Sequence, residues 1–177
     1  MTAEGFMMSV MSLILCASMV LLVLVYSVGQ FTTKFVRTEI EIDAPPSAVW
    51  NVLNDTEKYP AWNPFIRVIE GRFVVGSQIS ITIHLTEDRP QTFKPKVLVV
   101  RTGKEIRWIG RLFVPGLFDG EHSFVLHETA EGRTLLRHEE RFTGVLVLPV
   151  LVSVGSKIAD GFEKMDVALK ARVEAGG

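Results

Sequence analysis

From Phe6 to Val28 the chain carries 23 consecutive residues without a charge or a proline, and only four serines interrupt the apolar set. At ~1.5 Å per residue a helix of that length is about 34 Å long, enough to cross a hydrocarbon core of about 30 Å. The pattern therefore predicts a single membrane-spanning helix. A cleaved signal peptide is the alternative. Its apolar region usually runs ~7 to 15 residues behind a basic start and ahead of a small-residue cleavage site. Here the first five residues hold Glu4 and no Lys or Arg, and no clear A-x-A site follows. Lys34 and Arg37 follow the span and nothing basic precedes it, so the positive-inside rule predicts a cytosolic globular part. About seven residues, 29 to 35, would link the two, a reach of at most ~25 Å that keeps the domain close to the bilayer. The expected division is a membrane anchor and linker over 1–34 and one globular domain over 35–177.

Beyond the span the period changes. In Phe35 to Asp43, Val36, Ile40 and Ile42 alternate with Arg37, Glu39, Glu41 and Asp43, with Thr38 on the apolar side; this is the period of a half-buried strand. Pro45 and Pro46 suit a helix start, where a missing N–H does no harm, and Val49, Trp50, Val52 and Leu53 continue that helix. Pro60 and Pro64 limit the next helical piece to a turn or two. Six strands follow, at about Phe65–Phe73, Ser77–Thr86, Phe93–Arg101, Glu105–Phe113, Glu121–Glu128 and Arg133–Phe142. Gly71, Gly76, Asp88 to Pro90, Gly103, Pro115 with Gly116, and Gly132 mark the turns between them. Finally, Leu151, Val154, Ile158, Phe162, Met165, Leu169 and Val173 step by three or four, which predicts a long amphipathic helix over Pro149–Glu174, with Gly155 and Gly161 as possible bends. The order is that of an α+β domain whose antiparallel sheet has one face covered.

Composition narrows the function. Nineteen basic residues against twenty acidic ones give a net charge of −1. With no basic cluster, nucleic acid is excluded as the main partner, since neutralising phosphates requires a surplus of Lys and Arg on one face. Cys16 is the single cysteine and lies within the span, so neither an intrachain disulfide nor a cysteine-based metal cluster is available. No nucleophile motif, phosphate loop or metal-ligand spacing is present, and no cofactor is expected.

Strand parity assigns the faces. In the strand from Glu105 the odd positions Glu105, Arg107 and Arg111 are charged, which turns Ile106, Trp108, Gly110 and Leu112 inward. In the last strand Arg133, Arg137, Glu139 and Arg141 point outward, leaving Leu136, His138, Glu140 and Phe142 on the concave face. The same logic turns His122, Phe124 and Leu126 inward, and makes Ile79, Ile81, Ile83 and Leu85 an apolar row with His84 outward. A three-residue hairpin loop, 130 to 132, with Gly132 in the left-handed region sets His122 opposite Glu140 and Phe124 opposite His138. A four-residue loop would instead pair Phe124 with Glu140.

Three stretches make the chain recognisable: EIDAPPSAVWNVLNDTEKYPAWNPFIRVIEG, WIGRLFVPGLFDGEHSFVL and RHEERFTGVL. Together they resemble the START-like (SRPBCC) superfamily and, within it, the polyketide cyclase/dehydratase type, over Phe35 to Ala171. The resemblance implies a helix-grip fold of the birch-pollen-allergen type: a seven-stranded curved antiparallel sheet around the C-terminal helix, enclosing a cavity for a hydrophobic ligand. It implies no single reaction, because its members include lipid carriers, hormone receptors, allergens and cyclases.

Parity and resemblance together predict a ligand site lined by Ile81, Ile83, Trp108, His122, Phe124, His138, Glu140 and Phe142. Its occupant is expected to be a hydrophobic small molecule or lipid held by a membrane-tethered domain. If the protein is an enzyme, His122 and Glu140 are the expected acid–base pair of a cyclase, dehydratase or isomerase acting on a polyketide-like or terpenoid-like substrate. Alternatively, the pair is a structural one that satisfies buried polar groups and fixes the hairpin. A metal held by His122, His138 and Glu140 has no support from ligand spacing. The apolar loops Leu112–Phe118 and Gly144–Val152 either touch the membrane interface through Phe113, Leu117, Phe118 and Leu146 or pack as core under the last helix. The sequence does not determine the oligomeric state.

Overall fold

The computed structural model describes residues 3–30, 32–86 and 89–176. Helix α1 runs over Ala3–Gln30, and its window Met7–Leu24 is long and apolar enough to cross a membrane, with none of it buried against the rest of the protein. Strand β1 (Thr33–Ile42) begins almost at once, so the connection is shorter than the seven residues expected. The Tyr26 hydroxyl at the end of α1 lies 3.4 Å from the carbonyl oxygen of Pro115.

After β1 come α2 (Pro46–Asn54), a 3-10 turn (Thr56–Lys58) and the short α3 (Tyr59–Trp62). Pro45 caps α2 and Pro46 fills its first position, as the sequence requires. Asn63 then explains the WNPF run. Its Oδ1 accepts the backbone N–H groups of Phe65 and Ile66 at 2.9 and 2.8 Å, fixing the entry to β2 (Ile66–Glu70). Strands β3 (Ser80–His84), β4 (Pro90–Phe93), β5 (Lys96–Arg101), β6 (Glu105–Arg111), β7 (Asp119–Glu128) and β8 (Thr134–Thr143) follow, and α4 (Val147–Glu174) closes the chain.

Among the described residues the strands number eight rather than seven and form two antiparallel sets, β1-β8-β7-β6-β5 and β2-β3-β4, joined by a bridge between Gln78 and Lys96. The extra strand arises because Pro95 divides the single strand expected over Phe93–Arg101. Proline has no N–H to donate to a ladder, and the residues before it pair with β3 while those after it pair with β6. Pro90, expected in a turn, instead opens the edge strand β4, a position where proline is tolerated. Asp88, expected in the same turn, lies outside the described residues.

Otherwise the architecture is the expected α+β one, a curved antiparallel sheet around a long C-terminal helix. Helix α4 buries Ile158, Phe162, Met165, Leu169 and Val173, the stripe its period predicts. It runs unbroken through Gly155 and Gly161, and Gly161 serves close approach instead of bending: a Cβ there would sit 2.4 Å from the Phe65 ring. On the convex face, cross-strand ion pairs absorb the charges. Glu105 is held by Arg101 and Arg107, Glu121 by Arg107 and Arg141 at 3.3 Å each, and Glu39 by Arg137 at 2.7 Å. Glu105 points outward as expected, yet it is buried beneath its two arginines.

Candidate functional site: a buried polar relay

The hairpin between β7 and β8 closes through the three-residue loop. Thr129 N–H bonds to Arg133 O at 2.9 Å, Gly132 has φ of 76°, and His122 stands opposite Glu140 with Phe124 opposite His138. The four-residue alternative is excluded. Strand pleat then sends both histidines toward α4.

There they meet Asp166, which the sequence reading did not single out. His138 Nδ1 lies 2.8 Å from Asp166 Oδ1, and the Thr38 hydroxyl on β1 donates to Asp166 Oδ2 at 2.5 Å. His138 Nε2 lies 3.1 Å from His122 Nε2, and His122 Nδ1 lies 3.6 Å from Glu140 Oε2. Five side chains from β1, α4, β8 and β7 thus form one line: Thr38, Asp166, His138, His122, Glu140. A signal for Asp166 was present in the sequence. It follows Phe162 by four positions and precedes Leu169 by three, which places a carboxylate inside the apolar stripe of α4.

Aromatic rings wall the line. Trp108 stacks on His122 at 4.4 Å between centroids and on Phe73 at 5.6 Å, while Phe162 stacks on His138 at 3.7 Å. Phe124 packs edge-on to His122. This burial pushes the His138 pKa down to about 4, against the opposing pull of Asp166. His138 is therefore neutral at pH 7 and carries one ring proton. With that proton donated from Nδ1 to Asp166, Nε2 is left as an acceptor, and His122 must supply the proton between the two Nε2 atoms. The tautomer of His122 is thus set from α4, and its Nδ1 faces Glu140.

Glu140 is where the line reaches the surface; 21% of its side chain is exposed. Next to it the sheet lacks side chains. Gly110 and Gly120 pair across β6 and β7, and a Cβ on Gly120 would lie 2.5 Å from Glu140 Oε1, so the glycine makes room for the carboxylate. A Cβ on Gly110 would meet nothing closer than the Gly120 carbonyl at 4.0 Å, so β6 is uncrowded at this point. Phe118 and Phe142, stacked at 5.3 Å, are close by: Phe142 pairs with Gly120.

Of the expected site residues, the structure brings Trp108, His122, Phe124, His138 and Glu140 into one cluster, with Phe142 at its rim. Ile81 and Ile83 belong to the three-stranded set and take no part in the relay; Ile81 is buried core and Ile83 half-buried. A separate open crevice of about 340 Å³ lies between α2, α3 and the end of α4, lined by Asn51, Lys58, Trp62 and Arg172 among others. None of the expected site residues lines it. Leu117, Phe118 and Leu146, expected at a membrane interface or in the core, are half-buried, whereas Phe113 is 88% exposed.

Comparison with known proteins agrees with this architecture. The structure is similar to Ara h 8.0201 (16% identity, 82% of this chain and 100% of that one, TM-score 0.63). It is also similar to a START superfamily protein from Mycobacterium smegmatis (20% identity, 80% and 97%, TM-score 0.61). A third likeness is to norcoclaurine synthase from Thalictrum flavum, solved with dopamine and hydroxybenzaldehyde (14% identity, 85% and 92%, TM-score 0.63). At these identities the likeness shows the fold alone. A search of curated protein sequences returns no match. The family model described as polyketide cyclase / dehydrase and lipid transport matches residues 34–174, everything from the start of β1 to the end of α4. By that match the chain belongs to the polyketide cyclase / dehydrase and lipid transport family.

Proposed function

We propose that this protein is a membrane-tethered binding domain, with residues 1–34 as anchor and linker and 35–177 as a domain that takes a hydrophobic small molecule or lipid. The observation that carries the reading is the pairing of Gly110 with Gly120 beside Glu140. A glycine inside a strand often marks a place where a ligand approaches the backbone. Here Gly120 makes room for the carboxylate that ends a line of buried polar groups and Gly110 pairs with it on the next strand, with Phe118 and Phe142 alongside. An apolar molecule with a hydroxyl or carbonyl end fits that combination, its polar end against Glu140. The apolar α1 and its basic flank favour a domain held on the cytosolic face of a membrane.

A second reading is favoured by the tautomer chain. Thr38, Asp166 and His138 orient His122 so that the lone pair on its Nδ1 faces Glu140 at 3.6 Å; a proton taken from a substrate is then held between that nitrogen and the carboxylate, the exchange that cyclase, dehydratase or isomerase chemistry needs. Native mass spectrometry of the detergent-extracted full chain, incubated with a total lipid extract, tests both. For binding alone, the wild type, His122→Ala and Glu140→Gln retain the same ligand mass while Gly110→Leu is empty. For catalysis, the wild type and His122→Ala carry ligands of different mass or release different products. A wild-type protein that stays empty, or a Gly110→Leu protein that keeps the ligand, overturns the proposed site.

A further inference from the structure

We infer that the protein has a second membrane contact besides α1, made by the tip of the β6–β7 loop and the first turns of α4. This inference rests on reading α1 as a membrane anchor. Three observations meet at this end of the domain. First, Tyr26 lies two residues past the apolar window of α1, at the level where a spanning helix leaves the hydrocarbon and where tyrosine is enriched. Its hydroxyl is 3.4 Å from the Pro115 carbonyl, so the loop tip is at the depth of the interface by direct contact with the anchor.

Second, the tip is built to present apolar groups outward. Phe113 is 88% exposed and has φ of 60°, a left-handed backbone that a bulky residue rarely adopts, and Val114 beside it is also exposed. Neither core burial nor backbone preference accounts for an aromatic ring held out in this way. The Val114 N–H to Leu112 carbonyl bond at 2.8 Å holds the turn, and insertion into a lipid interface accounts for the exposure of the ring it presents. Phe118, by contrast, turns inward and stacks on Phe142, so it takes no part in the contact.

Third, α4 extends the patch. Val145 and Leu146 N–H groups bond to Gly116 and Leu117 carbonyls at 3.1 and 2.9 Å, which ties the start of α4 to the loop. Just beyond, Leu148 and Val152 lie four apart on one helix face, and Val152 is 90% exposed. The exposed set is Phe113, Val114, Leu148 and Val152. Lys34 at the start of β1 stands at the same end of the sheet, suited to a lipid phosphate, as does Arg111 at the end of β6, whose guanidinium lies 3.6 Å from Asp119 and is half-exposed. The occupant is therefore the bilayer that holds α1, and the Gly110–Glu140 site opens toward the headgroup layer instead of bulk water.

The chain's single cysteine supplies the reference for a test. Full-length protein is reconstituted in phosphatidylcholine/phosphatidylglycerol vesicles and carries one fluorophore. The label is placed at native Cys16, or in a Cys16→Ser background at Phe113→Cys, Val152→Cys or Glu131→Cys, the last on the hairpin loop at the far end of the sheet. Quenching by brominated lipids is then read. The expected result is strong quenching at 16, at least threefold more quenching at 113 and 152 than at 131, and blue-shifted emission at 113 and 152. Quenching at 16 with 113 and 152 no different from 131 overturns the second contact and leaves the anchor standing. Absence of quenching at 16 overturns the anchor and the contact together. Phe113 in the loop and Val152 on α4 both project from the folded domain, so labelling them does not disturb packing.

Discussion

His122 and His138 face each other Nε2 to Nε2 across 3.1 Å, so a single proton serves both rings. Because burial keeps His138 neutral and Asp166 engages its other nitrogen, that proton comes from His122. Four predictions follow from this contact and its surroundings.

Stability is expected to fall as pH drops below about 6.5, the ordinary histidine value. The folded-state pKa of His138 is lowered to about 4, so between those values the unfolded chain binds more protons, and unfolding free energy rises with pH across that window. The lowering corresponds to roughly 3 kcal/mol, fully lost only below pH 4. Denaturant titrations of the full chain in detergent at pH 4 and 7 measure it. In His138→Gln the difference between the two pH values should shrink by most of that amount. An unchanged difference would show that His138 does not titrate in this way.

Asp166 accepts from two donors, so the chemistry of its replacement matters more than the size. Asp166→Asn keeps an acceptor for His138 and is expected to cost about 1 kcal/mol, whereas Asp166→Leu leaves the His138 N–H and the Thr38 hydroxyl unpaired and should cost about 3 kcal/mol. Equal losses in urea titrations would mean that the hydrogen bonds are not what Asp166 contributes.

Gly120→Ala forces a Cβ to within 2.5 Å of Glu140 Oε1 unless the carboxylate moves. The carboxylate should swing toward solvent, away from His122, and the change is visible as altered 15N shifts of the His122 ring in NMR. A ring spectrum identical to wild type would mean that Glu140 does not sense this glycine. The fold is expected to survive with a loss of about 1 to 3 kcal/mol.

Gly161→Ala tests the seat of the C-terminal helix. Its methyl would fall 2.4 Å from the Phe65 ring, too close for any rotamer adjustment of the alanine itself. Phe65 or the helix must shift, at a cost of about 2 to 3 kcal/mol. Paired with Phe65→Leu, the loss should diminish, because the smaller side chain leaves room. Additive losses in the double variant would argue against direct contact.

Much of this site could be read from the amino-acid order because strands and hairpins obey local rules. A glycine in the left-handed region at 132 decides the loop, the loop decides the register, and the register puts His122 opposite Glu140. The charged outer row of β6 turns Trp108 inward in the same way. Asp166 and Thr38 were harder to read, since their partnership depends on how α4 lies across the sheet, a long-range relation that strand parity does not contain. Pro95 lies inside a run that reads as one strand, and two form there because its missing N–H interrupts the ladder. Exposure in the loops was left open for Phe113 and Phe118 alike: both are aromatic in an apolar run, and only the folded turn decides that Phe113 points out while Phe118 is half-buried against Phe142.

The pairing of β1 with β8 has a bearing on how the chain is made. β1 emerges first after the apolar helix α1, but its hydrogen-bonding partner lies about a hundred residues downstream. At ~5 to 20 residues per second, translation needs roughly 5 to 20 s to supply that strand. During the interval β1 remains an unpaired ribbon, with Thr38 waiting for Asp166. Assembly of the relay is thereby coupled to synthesis of α4, and a product truncated before it would be unable to orient either histidine.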